Sequence, residues 1–241
     1  MTKNNPTLIH SERPKVVCFD ADDTLWHNEE YYQEAEQRFC TLMSDYGAKQ
    51  DLLSALFDQE MQNMDLLGYG SKAFTISMIE AALKLTQDQL SNNLLKQLIT
   101  LGKENIAPPM LLFPQAEACL QGLQPHFRLA LATKGDLRDQ ERKLARSGLA
   151  PYFEEVFIVS EKDGAAYQKI MQRLRVSANE FMMVGNSFKS DILPVLALGG
   201  RAVYIPSAVL WLHEQVEITE HPNLQTLNSL EQIPAYLNTL G

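Results

Sequence analysis

The sequence predicts an α/β fold, with a doubly wound parallel sheet as its core and an all-helical insert. Three observations support this prediction. Short apolar runs alternate with helical patterns, one long block has no strand pattern, and polar residues directly follow several of the apolar runs. The chain has 241 residues, of which 45% are hydrophobic and 21% charged. A chain of this length and composition is globular and can form one large domain or a core domain carrying an insert.

Five short apolar runs have the length and composition of strands buried in a parallel sheet. Helical patterns lie between most of them, and this alternation is typical of βαβ units. The core is therefore predicted to be Rossmann-like, with helices on both faces of the sheet. The predicted strands are 16–19, 129–132, 156–159, 181–184 and 202–205, the predicted helices include 117–123, 139–149, 170–174 and 191–198, and the chain after 206 is predicted to be loop and helix.

The block between the first and second predicted strands differs from the rest of the chain. It is rich in Gln, Glu, Leu, Met and Ala, and its apolar residues recur at helical spacing, as at Ile76, Ile79 and Leu83. A glycine-containing break precedes Ser71, which is predicted to cap the next helix. Pro108 and Pro109 end the block, because proline disrupts a helix interior. The predicted domains are a core of 1–28 with 109–241, and a helical insert of 29–108.

The charge and the cysteine content argue against several classes of partner and of metal or disulfide site. Lys and Arg number 21 against 30 Asp and Glu, which gives a formal net charge of −9 and argues against nucleic acid or an anionic membrane as partner. Cys18, Cys40 and Cys119 are far apart, so neither a disulfide framework nor a thiolate zinc site is expected. No apolar stretch resembles a signal peptide or a membrane span. A cytoplasmic monomer or homodimer is expected.

Three carboxylates follow the first predicted strand. Asp20 and Asp22 are two residues apart, so in extended chain their side chains point the same way and repel unless a cation lies between them. Hard oxygen ligands at the carboxyl end of a parallel strand suit Mg²⁺ together with a phosphate group. The alternative is a turn or helix-entry cluster, since Asp before Thr24 is common in both.

Polar residues also follow three later strands. Thr133 can donate its hydroxyl to a phosphate oxygen, Lys162 can place a positive charge near it, and Asn186 with Asp191 can supply metal ligands. Each signal is weak alone, because these residues are more often a strand cap, a surface ion pair or a helix cap. Lys134, next to Thr133, competes with Lys162 for the same role.

Taken in order, the four strand ends resemble the haloacid dehalogenase superfamily of hydrolases. Its first motif has the form DxDx[T/V], which Asp20, Asp22 and Thr24 match, and its later motifs are a Ser or Thr, a Lys, and a Gly-Asp-rich loop ending in a second Asp. The helical insert is similar to the α-helical cap of that superfamily. One departure is Asn186, where an acid is common. The resemblance covers residues from about 13 to 205.

The resemblance implies a role for each of these side chains. Asp20 would be the nucleophile that forms an aspartyl-phosphate, and Asp22 the acid and then the base. Thr133 and Lys162 would hold the transferring phosphoryl group, while Thr24 and Trp26 are further candidates for substrate binding. The implied cofactor is Mg²⁺, with Asp20, Asp22, Asp191 and Asn186 as its candidate ligands.

The resemblance further implies a Mg²⁺-dependent phosphatase acting on a small phosphorylated metabolite. Asp22 favours a phosphatase over a 2-haloacid dehalogenase, because the leaving oxygen of a phosphate ester must be protonated. A phosphomutase would use the same residues, and a non-catalytic phosphate-binding module is a third possibility. Specificity is expected from the insert. Trp26 either contacts substrate or packs beneath the insert. Tyr69 either brings its ring onto the site or is an ordinary turn aromatic, and the second interpretation is favoured.

Overall fold

The computed structural model describes residues 13–240 and contains a six-stranded sheet within that range. All strand pairs are parallel, and the order across the sheet is β3-β2-β1-β4-β5-β6. The predicted doubly wound, Rossmann-like fold is confirmed by this order. The strands are β1 (Val16–Phe19), β2 (Arg128–Lys134), β3 (Glu155–Val159), β4 (Phe181–Gly185), β5 (Arg201–Tyr204) and β6 (Leu224–Thr226).

Alternation along β1 explains why helices cover both faces of the sheet. Val17 and Phe19 point into one apolar core and Val16 and Cys18 into the other, as period-two geometry requires. The first face is covered by α5 (Ala116–Leu123), α6 (Leu137–Ser147) and α9 (Gln232–Asn238), and the second by α7 (Gly164–Leu174) and α8 (Leu193–Ala197).

Four helices follow β1 and share a separate hydrophobic core. Phe39, Leu56, Met78 and Leu98, one from each helix, are all at most 1% exposed within it. The helices lie inside the predicted insert, whose domain boundaries stay a prediction. Among residues 13–240 there is no helix with the length and apolarity needed to cross a bilayer. The four helices are α1 (Glu29–Leu42), α2 (Lys49–Leu67), α3 (Ser71–Leu85) and α4 (Asn92–Ile106).

The chain enters and leaves this helical block at one place. Trp26 forms a parallel bridge with Asp22 and an antiparallel bridge with Leu112. The amide of His27 donates to the carbonyl of Leu111 at 2.9 Å, and the amide of Phe113 donates to the carbonyl of Leu25 at the same distance. The two connections therefore run side by side, directly behind the first motif.

Three predictions about local structure were wrong. The stretch after 206 contains β6, whose three residues are too few and too polar to show a strand pattern. Ser71 is the first residue of α3 and not its cap, because its hydroxyl donates to the carbonyl of Asn105. The predicted helix 191–198 begins earlier, as a π turn (Phe188–Ile192) capped by Ser187, and Asp191 lies inside that turn.

Candidate active site

The candidate site lies at the carboxyl edge of the sheet, between β1 and β4. Strand order reverses at this point, which is where ligands bind in open α/β sheets. Phe19 is in register with Leu131 of β2 and Val184 of β4. The residues that follow these strands therefore meet at one edge. Asp20 is fixed there by its amide, which donates to the carbonyl of Val184 at 2.8 Å.

Lys162 connects the two carboxylates at the centre of the site. Its ammonium donates to Asp20 Oδ1 and, at 2.7 Å, to Asp191 Oδ1. The three residues are at most 6% exposed, so their charges are poorly screened. Asp191 Oδ2 accepts a hydrogen bond from the Ser187 amide at 2.9 Å. Both oxygens of Asp191 therefore have protein donors, and Asp191 here positions Lys162.

Burial raises the pKa of Asp20 to about 7, although the charge of Lys162 opposes the increase. The nearby negative charges of Asp191 and Asp22 add to the effect of burial. An ionised Asp20 is consequently favoured by any further positive charge in the site.

Oxygen atoms from three residues converge beside Asp20. One end of the Asn186 amide lies 3.2 Å from Asp20 Oδ2, 3.2 Å from the Asp22 carbonyl oxygen and 3.2 Å from Thr24 Oγ1. With its nitrogen at that end, Asn186 donates to all three, and with its oxygen there it adds another acceptor. Thr24 Oγ1 donates to Asp20 Oδ2 at 3.0 Å. The set of carboxylate, carbonyl and amide oxygens is one that Mg²⁺ prefers.

Asp22 is held by three donors from two directions. Trp26 Nε1 donates to its Oδ1 at 2.6 Å, and Gln140 Nε2 and Lys143 Nζ donate to its Oδ2 at 2.8 and 2.9 Å. Burial raises the pKa of Asp22, but the charge of Lys143 and the three hydrogen-bond donors outweigh it and hold the pKa below its ordinary value. Asp22 is therefore an anion with a fixed orientation.

Thr133 and the two candidate lysines have different surroundings. Thr133 Oγ1 accepts from Gln140 Nε2 at 3.1 Å, which leaves its own proton available to a ligand. Lys134 donates to Glu214 Oε1 at 2.5 Å and to Ser190 Oγ at 3.1 Å. Of the two lysines, Lys134 is engaged by Glu214 and Lys162 contacts Asp20.

Most of the predicted site residues line one cavity between the sheet edge and the helical block. Thr24 and Trp26 do not line it, and both are at most 3% exposed. They contact Asp20 and Asp22, and so support the site from behind. The predicted residues that line the cavity are Asp20, Asp22, Thr133, Lys162, Asn186 and Asp191.

Three polar residues at the site were missed by sequence reasoning. Gln140 and Lys143 are three residues apart on α6, and each lies more than 110 residues from Asp22 in the sequence. Glu214 lies in the stretch after 206, to which no chemistry was assigned. The pattern Gln140-x-x-Lys143 is also that of a solvent-exposed helix face, so it did not indicate contact with Asp22.

Tyr69 closes the cavity from the side of the helical block, contrary to its interpretation as an ordinary turn aromatic. Its ring lies 5.9 Å from that of Trp211 in an edge-on arrangement, and Lys134 Nζ lies 4.4 Å from the ring centre. Lys72 pairs with Asp136 at 2.8 Å across the same seam. The loop after β5 and the start of α3 therefore meet over the site.

Comparisons with known proteins identify relatives of this chain. A family model described as a haloacid dehalogenase-like hydrolase matches residues 14–199. A glyceraldehyde 3-phosphate phosphatase of Methanocaldococcus jannaschii is 27% identical over 233 residues, which is 91% of this chain and 95% of that protein.

Two solved structures are also similar. A haloacid dehalogenase-like family hydrolase from Xanthomonas campestris is 33% identical, with a TM-score of 0.86 over 95% of this chain and 92% of that chain. A putative hydrolase from Bacillus subtilis, solved bound to magnesium, is 18% identical, with a TM-score of 0.62 over 94% of this chain and 100% of that chain, and shares the fold.

Proposed function

The chain belongs to the haloacid dehalogenase-like hydrolases and is a phosphoric monoester hydrolase, and we propose that it is a Mg²⁺-dependent phosphatase of small metabolites that works through an aspartyl-phosphate on Asp20. The observation that carries the proposal is the pair of Asp20 and Asp22 at one cavity, the first in contact with Lys162 and the second held as an anion. The phosphatase names of its relatives support the same reaction class.

Asp20 acts as the nucleophile in the first step. One carboxylate oxygen attacks phosphorus while the bond to the leaving oxygen breaks, and Asp22 supplies the proton that this oxygen needs. The negative charge of a bound phosphate raises the pKa of Asp22, so that it can carry that proton. Lys162 and Thr133 line the same cavity. In this proposal the Lys162 ammonium and the Thr133 hydroxyl bind phosphoryl oxygens as negative charge builds up on them.

Asp22 acts as a base in the second step. It takes a proton from water, the water oxygen attacks the phosphorus of the aspartyl-phosphate, and the carboxylate of Asp20 is released together with inorganic phosphate. The bonds from Trp26, Gln140 and Lys143 keep the Asp22 carboxylate in one orientation through both steps. The same bonds favour its ionised form, which this step requires.

The oxygen set beside Asp20 fits a magnesium ion. Asp20, the Asp22 carbonyl and Asn186 would hold it, and a role for Asp191 as a further ligand stays a prediction. When bound, Mg²⁺ supplies positive charge that neutralises the phosphoryl group and the buried Asp20. A cytoplasmic location and a monomeric or dimeric assembly are part of the proposal and rest on the sequence alone.

Phosphate release from a panel of phosphorylated metabolites, with Mg²⁺ and with chelator, tests the function. We expect release only with Mg²⁺, and its loss in Asp20→Asn and Asp22→Asn. Glu34→Gln, on the exposed side of α1, is the matched control and should retain full activity. Chloride release from 2-chloropropionate without metal would instead identify a dehalogenase, and sugar-phosphate interconversion without phosphate release would identify a mutase.

A further inference from the structure

The cavity has an excess of carboxyl groups over lysines that the phosphatase reaction does not explain. Ten carboxylate side chains line it against three lysines. Each lysine is already engaged, Lys162 with Asp20 and Asp191, Lys143 with Asp22, and Lys134 with Glu214. The cavity must nevertheless accept a phosphate ester, so its remaining acids need a different purpose.

Three of these acids lie together on the helical block. Glu29 and Glu36 come from α1 and Glu60 from α2, and all three are partly buried in the cavity wall. Within residues 13–240, none of their carboxylates accepts a hydrogen bond or pairs with a cation. Buried carboxylates without partners are costly, and their mutual repulsion adds to that cost.

The charges of the three glutamates act on one another. Burial, followed by the charges of Asp23, Glu36 and Glu60, raises the pKa of Glu29 to about 9. Burial and the charge of Glu36 raise the pKa of Glu60 to about 8. A cation bound among them would remove both the repulsion and the lack of partners.

Asp139 gives an independent sign that a ligand is missing from this region. It lines the same cavity and is only 5% exposed. Its Oδ1 pairs with Arg142 at 2.5 Å, but its Oδ2 has no hydrogen-bond partner within the described residues. That oxygen lies at the seam with the helical block, because a Cβ built on Gly70 would be 3.6 Å from it. Burial raises the pKa of Tyr32, the hydrogen bond with Ser71 opposes the increase, and the charges of Asp22, Asp139 and Glu29 add to it. Asp139 and Glu29 therefore both lie near this ring, which lines the same cavity.

We infer that Glu29, Glu36 and Glu60 bind a positively charged amino group on the leaving alcohol, so that the substrates are phosphate monoesters of amino alcohols. This inference rests on the proposed phosphatase function and specifies its substrate class. Lys162 and Thr133 would bind the phosphoryl end of the ester, and the three glutamates its ammonium end. Asp22 and all three glutamates line the same cavity, so one bound ester can contact both groups.

A matched pair of esters tests the substrate class. The full-length protein with Mg²⁺ is assayed on 2-aminoethyl phosphate and on n-propyl phosphate, which differ by an ammonium in place of a methyl group. We expect kcat/KM to be at least about tenfold higher for the amino ester. Equal values for the two esters, or a preference for n-propyl phosphate, would overturn the inference.

Two variants assign the preference to the glutamates. Glu36→Gln and Glu60→Gln should each lower the ratio of the two kcat/KM values, and the pair together should bring it close to one. Glu34→Gln lies on the exposed side of α1 and should leave both values unchanged. A ratio that stays high in the double variant would contradict the assignment.

Binding to Asp20→Asn separates this inference from the proposed function. Calorimetry on this variant measures affinity for both esters without turnover, and we expect tighter binding of the amino ester. If wild type releases no phosphate from either ester or from p-nitrophenyl phosphate, the phosphatase proposal fails while the binding preference is still measured. If Asp20→Asn binds both esters equally, the inference fails whatever the activity.

Discussion

Replacing Gly185 with alanine tests how closely the end of β4 packs against the candidate site. A Cβ at this position would lie 2.3 Å from Asp191 Oδ2 and 2.4 Å from Asp191 Cγ. Ordinary contact begins at 3.4 Å, so the Asp191 side chain must move by about 1 Å. Nothing in the turn that follows β4 provides that space, since Asp191 is 1% exposed.

The magnitude follows from the two hydrogen bonds of Asp191. Its oxygens lie 2.7 Å from Lys162 Nζ and 2.9 Å from the Ser187 amide. A shift of about 1 Å lengthens at least one of these bonds past the hydrogen-bond limit and releases Lys162 from its position. We expect kcat/KM to fall about 100-fold and the free energy of unfolding to fall by about 1–3 kcal/mol.

Phosphate release and urea denaturation measure the two effects. Gly122→Ala is the matched control, because Gly122 lies in α5 and a Cβ there meets no atom within 4 Å. The control should retain activity and gain about 0.5–1 kcal/mol of stability, since alanine favours a helix. Activity in Gly185→Ala within about threefold of wild type would refute the argument that Asp191 must be displaced.

Three further predictions concern stability. Trp26→Phe removes the indole donor to Asp22 and should lower the free energy of unfolding by about 1.5–3 kcal/mol, and an unchanged urea midpoint would contradict this. Burial raises the pKa of Glu214, but Lys134 and two serines outweigh it and set the pKa at about 2, below the ordinary 4.5. The stabilisation that ionised Glu214 provides is complete above pH 4.5 and is lost as the pH falls towards 2. The free energy of unfolding of wild type should exceed that of Glu214→Gln by about 3 kcal/mol at neutral pH, and this difference should shrink between pH 4.5 and 2. A difference in unfolding free energy that stays constant from pH 7 to 2 argues against the ion pair. Leu98→Ala, in the core of the helical block, should cost about 2–5 kcal/mol by calorimetry, and a loss under 1 kcal/mol would mean that this core is loosely packed.

Most of the sheet was predictable because β1, β4 and β5 are buried throughout and β2 is buried along its interior. Such strands are continuous apolar runs, and all five predicted runs became strands, with ends differing by at most two residues. β6 was not predictable, because Leu224, Gln225 and Thr226 form an edge strand with little apolar character. The start of the predicted helix at Asp191 was wrong because a π turn, with Ser187 as its cap, begins before it.

The candidate site was predictable where its residues follow strands. Parallel strands bring their carboxyl ends together, so Asp20, Thr133, Lys162 and Asp191 could be placed at one edge without knowledge of contacts. Lys143 could not be placed in this way. A helical lysine has the sequence pattern of a solvent-exposed charge, and only the tertiary fold shows that it points at Asp22.

The paired connections at Trp26 and Leu112 have a consequence for how this architecture can diversify. Because the chain departs from the sheet and rejoins it at a single point, the length of whatever lies between is independent of strand register. A helical unit of another size or shape can be grafted there while the sheet half of the candidate site keeps its geometry. Trp26 is not free to change in the same way, because it belongs to the junction and its indole also donates to Asp22. We expect a graft that keeps this indole to leave the Asp22 carboxylate in its present orientation.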